Sequence, residues 1–412
     1  MSGPIESTRT AGVRRIAEVD MLRGFALFGI LVTNVVVVTS LLNLVGPPDD
    51  PSPRFDGRLD TFATGMVDGL FLGRFYLLFA FLFGYSFTLQ IAAAERVGAS
   101  PRGRLLRRCA ALFAIGLAHV LLLWIGDILT LYAVLCLILI LLRNLRPRTA
   151  VITGVVLYGL FTLPALLLPG SDTGGGQVAD LAQVFDLQRL SDGFTGGFTE
   201  TLRTQLFFGP LFLLFTWIGQ GIPSLAMFLF GMAAGKRRIF EDGELIRRWT
   251  PRMLWAGLGA GLPISAVTWA DGAGLLHAPA CWFGVQELVN PLMTFAYMAL
   301  ALRLARSRWA PAVAGLAPAG RMAATNYIGQ SVVFMLLYTG YGAALADDVP
   351  PPVVIGIAVV TFAAQLWFSA WWLRGHAYGP VEWVLRAATY RARPRWRVTA
   401  PPRKVLSTGE GT

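Results

Sequence analysis

The chain has 412 residues, of which 55% are hydrophobic and only 14% charged, with a mean hydropathy of +0.58. This composition excludes a soluble globular enzyme and predicts an all-α polytopic membrane protein. The net charge of +11 would suggest nucleic acid in a soluble chain, but cytoplasmic loops of membrane proteins collect Lys and Arg, so no nucleic-acid partner is expected.

Ten apolar blocks of about 20 residues follow one another near 21–45, 75–94, 105–124, 127–142, 149–168, 207–234, 253–270, 284–305, 322–345 and 352–373. The first is followed by Val45-Gly46-Pro47-Pro48 and not by a small-residue cleavage site, so it is expected to stay as a helix and not to be removed as a signal. With the N-terminus inside and the blocks alternating, thirty of the 35 Lys and Arg fall inside. Only Arg54, Arg58, Arg74, Arg189 and Arg203 fall outside, together with fifteen of the 24 acidic residues. That sorting predicts ten transmembrane helices with both termini cytoplasmic. The expected division is a disordered tail over 1–15, a ten-helix domain over 16–390, and a disordered basic tail over 391–412. Between Gly170 and Gln205, Leu181, Val184 and Phe185 stand at helical spacing, which suits a connector or lid helix on the outer surface. Trp124 to Thr130 reads as a tight hairpin. Cys109, Cys136 and Cys281 are odd in number and lack ligand spacing, which argues against disulfides or a metal site.

Polar residues inside the apolar blocks are the candidates for chemistry. Arg23 and Asn34 are eleven residues apart, close to three whole turns, so they share one face of the first helix about 16 Å apart. Against lipid such groups cost on the order of a few kcal/mol, so the stripe must face protein or a wet cavity. His119 and Asp127 are eight residues apart; a carboxylate that fixes the tautomer of an imidazole makes a general base. The plainer alternative is a His bonded to a neighbouring helix and an Asp capping the next one. Arg74 opens a block from the outside and would bind an anionic group, pair with Asp127, or snorkel to lipid headgroups. Glu287 and Asn290 share a face just before Pro291, as outer-cavity lining or as a wet helix entrance. Asn326 and Gln330 form an i, i+4 pair after Arg321, facing a cytoplasmic ligand or another helix. Arg104, Arg107, Arg108 and Arg321 would make a phosphate-binding rim or simply obey the positive-inside rule. Glu382 and Arg386, an i, i+4 pair after Pro380 with Trp383 suited to the interface, read as an inner surface helix.

The order Asp20-x-x-Arg23-Gly24 into Asn34, Arg74 with Leu82-Phe83-Gly84, Ile115-Gly116-Leu117-x-His119 with Gly126-Asp127-Ile128-Leu129, Gly320-Arg321 with Thr325-Asn326-Tyr327 and Gln330-Ser331, and Gly379-Pro380-x-Glu382-Trp383 with Arg386 resembles the bacterial YeiB family. That family is in turn distantly similar to the transmembrane acyltransferases, including the type three proteins and heparan glucosaminide N-acetyltransferase. Arg23 matches their first-span Arg; Asn34 stands where the type three proteins carry His, and the His that the glucosaminide enzyme places further on has no counterpart at Asn43-Leu44-Val45-Gly46. The resemblance implies a multi-pass protein of the bacterial plasma membrane that moves an acyl group from cytoplasmic acyl-CoA to a sugar or lipid-linked acceptor outside. His119 and Asp127 are then the catalytic candidates, Arg74, Glu287, Asn290 and Asn34 the acceptor side, and Arg23, Arg321, Asn326 and Gln330 the donor side. The expected partners are the lipid bilayer, these two substrates and further copies of the chain. The alternatives from other classes are a transporter or flippase of a small anionic or lipid-linked solute, and a scaffold or sensor.

Overall fold

The computed structural model describes residues 16–43, 55–167 and 186–398. Among these the chain is all-helical, with one isolated extended pair, His376 and Arg397. The helices are α1 (Ala17–Asn43), α2 (Arg58–Leu70), α3 (Phe75–Glu95), α4 (Pro101–Leu122), α5 (Leu129–Leu142), α6 (Pro147–Leu167), α7 (Leu187–Thr195) and α8 (Phe198–Lys236). They continue with α9 (Gly243–Gly272), α10 (Trp282–Leu304), α11 (Ala310–Ala314), α12 (Leu316–Arg321), α13 (Ala323–Tyr338), α14 (Pro351–Gly375) and α15 (Pro380–Tyr390). Each of the ten apolar blocks falls on a helix. Among the described residues, seven helical stretches are long and apolar enough to cross a membrane: α1, α2 with α3, α4, α6, α8, α9 and α14.

α1 is the hub, touching α2, α3, α7, α10, α12, α13 and α14. Its apolar stretch is 67% buried inside the protein, whereas those of α6 and α9 are only 22% buried. The outward face of α6 carries Val151, Ile152, Val155, Val156 and Leu160, a contiguous apolar stripe that lipid solvates and water does not. α5 and α13, with 14 and 16 residues, reach only about 21 and 24 Å at ~1.5 Å per residue, short of the ~30 Å bilayer core. Irregular backbone precedes α5 and follows α13, and broken helices of this kind are tolerated only where protein or a cavity surrounds them. The break between α2 and α3 turns on Gly73, whose φ of 79° is one that only glycine adopts freely.

At the crossing of α1 and α12 the two backbones touch. Gly320 lies against the Asp20 carbonyl and the Gly24 amide, and Gly24 against the Leu316 carbonyl, so a Cβ at either would overlap main chain. This contact brings Arg321 beside Asp20 and Arg23.

The short connection expected over Trp124 to Thr130 joins α4 to α5, and its Trp124, Ile125, Asp127 and Thr130 are all buried. One sequence expectation changes. Residues 391–398 are not a free tail: Ala377 N donates to Trp396 O at 3.1 Å, Val398 N to Gly375 O at 3.1 Å, and Trp396 packs edge-on against Trp372 and Trp383. Tryptophans at this spacing offer more apolar surface than a solvated tail would leave exposed. Within the stretch from 170 to 205 the described helix is α7, with Leu187, Leu190 and Phe194 buried against the protein; Leu181, Val184 and Phe185, on which the expected surface helix rests, lie outside the described residues, as do 1–15 and 399–412.

Gly320→Val is expected to cost about 1–3 kcal/mol by prising α12 off α1. The thermal midpoint of the solubilised protein should fall, whereas Gly356→Ala, at a position with open space around it, should leave it in place.

Candidate functional site: two hollows with a shared wall

Among the described residues, two of the hollows between the helices share a wall. The first, about 230 Å³, is lined by Asp20, Arg23, Arg108, Arg321, Glu382 and Arg386, with Phe79, Phe83, Tyr132 and Tyr327. The second, about 260 Å³, is lined by Thr33, Asn34, Tyr76, Thr216, Gln220, Glu287 and the irregular segment from Trp124 to Ile128. Ile30 and Ile128 line both, so at these residues the wall between the hollows is a single side chain thick. Helical periodicity accounts for the part α1 plays: Asp20, Arg23, Leu27, Ile30, Asn34 and Val37 recur every three or four residues and form one stripe past both hollows.

The first hollow is basic. Arg23 pairs with Asp20 at 3.1 Å and also donates to Ser86. Glu382 lines the same hollow and is held by the start of α13: its Oε1 accepts from Ala324 N at 2.7 Å and Thr325 N at 3.1 Å, and its Oε2 from the Thr325 hydroxyl at 2.6 Å. It thus caps the orphan amides of α13 from another helix. Withdrawal from water pushes the Glu382 carboxyl above its ordinary range, and the donor hydrogen bonds pull it back. Arg386 stacks over the ring of Tyr378, 4.2 Å from its centroid. The Arg108 Nε is buried without a hydrogen-bond partner. Arg108, Arg321 and Arg386 therefore give this hollow positive charge in a partly apolar setting, where an anion is held more strongly than in water.

Beside the shared wall is a dry hydrogen-bonded chain. His119 Nδ1 is 3.0 Å from Asp127 Oδ1, and His119 Nε2 is 2.7 Å from Ser331 Oγ. The other oxygen of Asp127 accepts from Thr130 N at 2.8 Å and Thr130 Oγ1 at 2.7 Å. A carboxylate that only accepts leaves the imidazole proton on Nδ1, so Nε2 is the acceptor and Ser331 the donor. His119 is 2% exposed, Asp127 0% and Ser331 5%. Tyr327 covers the imidazole, with ring centroids 5.1 Å apart; its hydroxyl donates to Gly126 O at 2.9 Å and accepts from Ile128 N at 3.3 Å.

The sequence candidates divide accordingly. Arg23 and Arg321 line the basic hollow, and Asn34, Asp127 and Glu287 the other. His119 has its expected carboxylate partner but is enclosed and does not open outward. Arg74 is neither a headgroup anchor nor a partner of Asp127: it is 1% exposed and donates to Gly69 O and to Ser265 Oγ, the latter at 3.1 Å. The carbonyls left bare where α2 ends draw it inward. Asn290 is buried, donating to Glu287 Oε1 at 3.1 Å. Asn326 and Gln330 face α14 and line neither hollow. Asn326 Nδ2 donates to Ser369 Oγ at 2.9 Å, and Gln330 Nε2 to Gln365 Oε1 at 3.0 Å, which is the interhelical bonding that amides at i, i+4 supply in an apolar bundle. Sequence reasoning gave no role to Ser331, which lies 212 residues from His119; its one signal was its place directly after Gln330. Among the described residues no three His, Cys, Asp or Glu gather as metal ligands.

Residues 234–392 match the family described as "Protein of unknown function (DUF418)". The chain is 30% identical to the uncharacterized protein YxaH of Bacillus subtilis (strain 168) over 95% of this chain and 97% of that one. It is 28% identical to the uncharacterized protein YeiB of Escherichia coli (strain K12), over 92% and 97% of the two chains.

Arg74→Gln is expected to lower stability by about 1–3 kcal/mol, the cost of leaving buried acceptors unmet. A thermal midpoint equal to that of the parent protein would show that Arg74 does not hold the α2–α3 break.

Proposed function

The chain belongs to the YeiB family of membrane proteins, and on that premise we propose that it transfers an acyl group from cytoplasmic acyl-CoA to a sugar or lipid-linked acceptor on the outer face. The observation that carries this reading is the pair of hollows sharing Ile30 and Ile128 beside the His119–Asp127 couple, one hollow rich in guanidiniums and the other lined by amides and carboxylates. Positive-inside sorting assigns the basic hollow to the cytoplasmic side of a ten-crossing protein of the bacterial plasma membrane, with both termini inside. Arg108, Arg321 and Arg386 take the donor phosphates through charge-assisted hydrogen bonds. The acyl-bearing arm lies along the apolar side of the hollow, where Leu27, Phe79 and Phe83 line it toward Ile30. The acceptor sits in the second hollow near Asn34, Gln220 and Glu287.

His119 is the base. Held by Asp127 with Nε2 unprotonated, it takes the proton of the group that attacks the acyl carbon; the C–S bond breaks and the thiolate leaves with that proton. The second reading, transport of a small anionic or lipid-linked solute, is favoured by the same thin wall, since two opposed hollows behind one movable barrier also suit alternating access. Labelled acyl-CoA separates the two: turnover or acylation by the pure protein supports the enzyme, and no binding at all supports the transporter.

Two variants test the enzyme reading. Arg108→Gln is expected to weaken acyl-CoA binding roughly ten- to a hundredfold, the worth of a hydrogen bond to a charged group. His119→Gln is expected to lower turnover by roughly 10²- to 10⁴-fold while acyl-CoA binding and the elution volume stay unchanged. Undiminished turnover in His119→Gln would remove this residue from the mechanism.

A further inference from the structure

We propose that Ser331 is a nucleophile that carries the acyl group between the two hollows as an ester, so that transfer runs in two steps and donor and acceptor never meet. The proposal rests on the acyl-transfer reading above and adds a residue to which that reading gives no role. Its first ground is geometric. Ser331 Oγ, His119 Nε2 with Nδ1, and Asp127 Oδ1 form a line with spacings of 2.7 and 3.0 Å. That is hydroxyl, base and orienting carboxylate within hydrogen-bond reach, the arrangement that activates a serine. A serine in an apolar helix ordinarily rests on the carbonyl four residues back. Here the Tyr327 carbonyl is 3.4 Å away and the imidazole is nearer.

The second ground is position. Tyr327, one turn before Ser331 on α13, lines the basic hollow, while Asp127, at the other end of the line, belongs to the second hollow. Ile30 and Ile128 stand between the two spaces, so a direct attack of acceptor on thioester would require both substrates in one hollow. Ser331 lines neither hollow and is 5% exposed, but it lies one turn from a residue of the first and is joined through His119 to a residue of the second, so it needs only to be reached from each side in turn. Tyr327 is the natural cover: its ring lies on the imidazole and its hydroxyl bridges Gly126 and Ile128, so displacing it bares the serine and loosens the wall together.

The steps balance. Ser331 Oγ bonds to the thioester carbon as its proton passes to His119 Nε2; the C–S bond breaks and the CoA thiolate leaves with that proton. In the second half the acceptor hydroxyl or amine gives its proton to His119 Nε2 and bonds to the acyl carbon; the ester bond to Ser331 breaks and its oxygen takes the proton back.

The test is a single-turnover reaction of the full chain in lipid nanodiscs with radiolabelled acetyl-CoA or palmitoyl-CoA and no acceptor, quenched in detergent. Label is expected on the peptide containing Ser331, and it should survive neutral hydroxylamine, which cleaves thioesters and acyl-imidazoles but spares oxygen esters. Ser331→Cys should make the label hydroxylamine-sensitive, and Ser331→Ala should abolish it while acyl-CoA binding, followed by equilibrium dialysis, persists. Label on His119, or acyl-CoA bound and turned over with no covalent label, would overturn the inference while leaving the acyl-transfer reading standing. Turnover by Ser331→Ala within about twofold of the parent enzyme would do the same, since loss of a true nucleophile costs far more. Failure of either acyl-CoA to bind would overturn the acyl-transfer reading, and this inference with it.

Discussion

Backbone that leaves its helix inside an apolar layer must find its hydrogen bonds in protein, because no water is present to supply them. The segment from Trp124 to Ile128 is governed by this constraint. Tyr327 meets the Gly126 carbonyl and the Ile128 amide, and Asp127 caps the first turn of α5 through Thr130. The carboxylate that satisfies the helix end with one oxygen turns the other to His119. The stability of the break and the orientation of the imidazole are therefore one set of hydrogen bonds, and neither is adjustable without the other.

The same economy shapes the basic hollow. Glu382 lines it, yet its oxygens are occupied by the N-terminus of α13. A carboxylate used as a cap ties α15 to α13, while Arg108 keeps a buried Nε without a hydrogen-bond partner beside the hollow. Asp20 is spent differently, in a short pair with Arg23 that also fixes Ser86. The charge facing the cavity thus follows from which polar groups the fold itself consumes.

Close packing and open space are complementary in this molecule. Where α1 crosses α12, and where α3 crosses α8 through Gly84 and Gly231, backbone lies on backbone with no side chain between. The hollows lie where longer side chains and broken helices hold the bundle apart, and Ile30 and Ile128 close the gap between them. A wall made of two aliphatic side chains, with no hydrogen bonds of their own to break, resists parting only through packing.

Local spacing by itself determined a good deal. The apolar blocks fix where helices form, and the eleven-residue interval between Arg23 and Asn34 places both on one face of α1, because periodicity within a helix is set by the backbone alone. The partnership of His119 with Asp127 was also legible, since few residues separate them. What only the tertiary structure decided was the partner each face meets. Arg74 folds inward to the end of α2 and Ser265, Asn326 and Gln330 turn to α14, and Ser331 reaches His119 from 212 residues away. A helix pattern gives the angle at which a side chain leaves its axis, but whether that direction ends in lipid, a neighbouring helix or a hollow depends on how the helices are laid against one another.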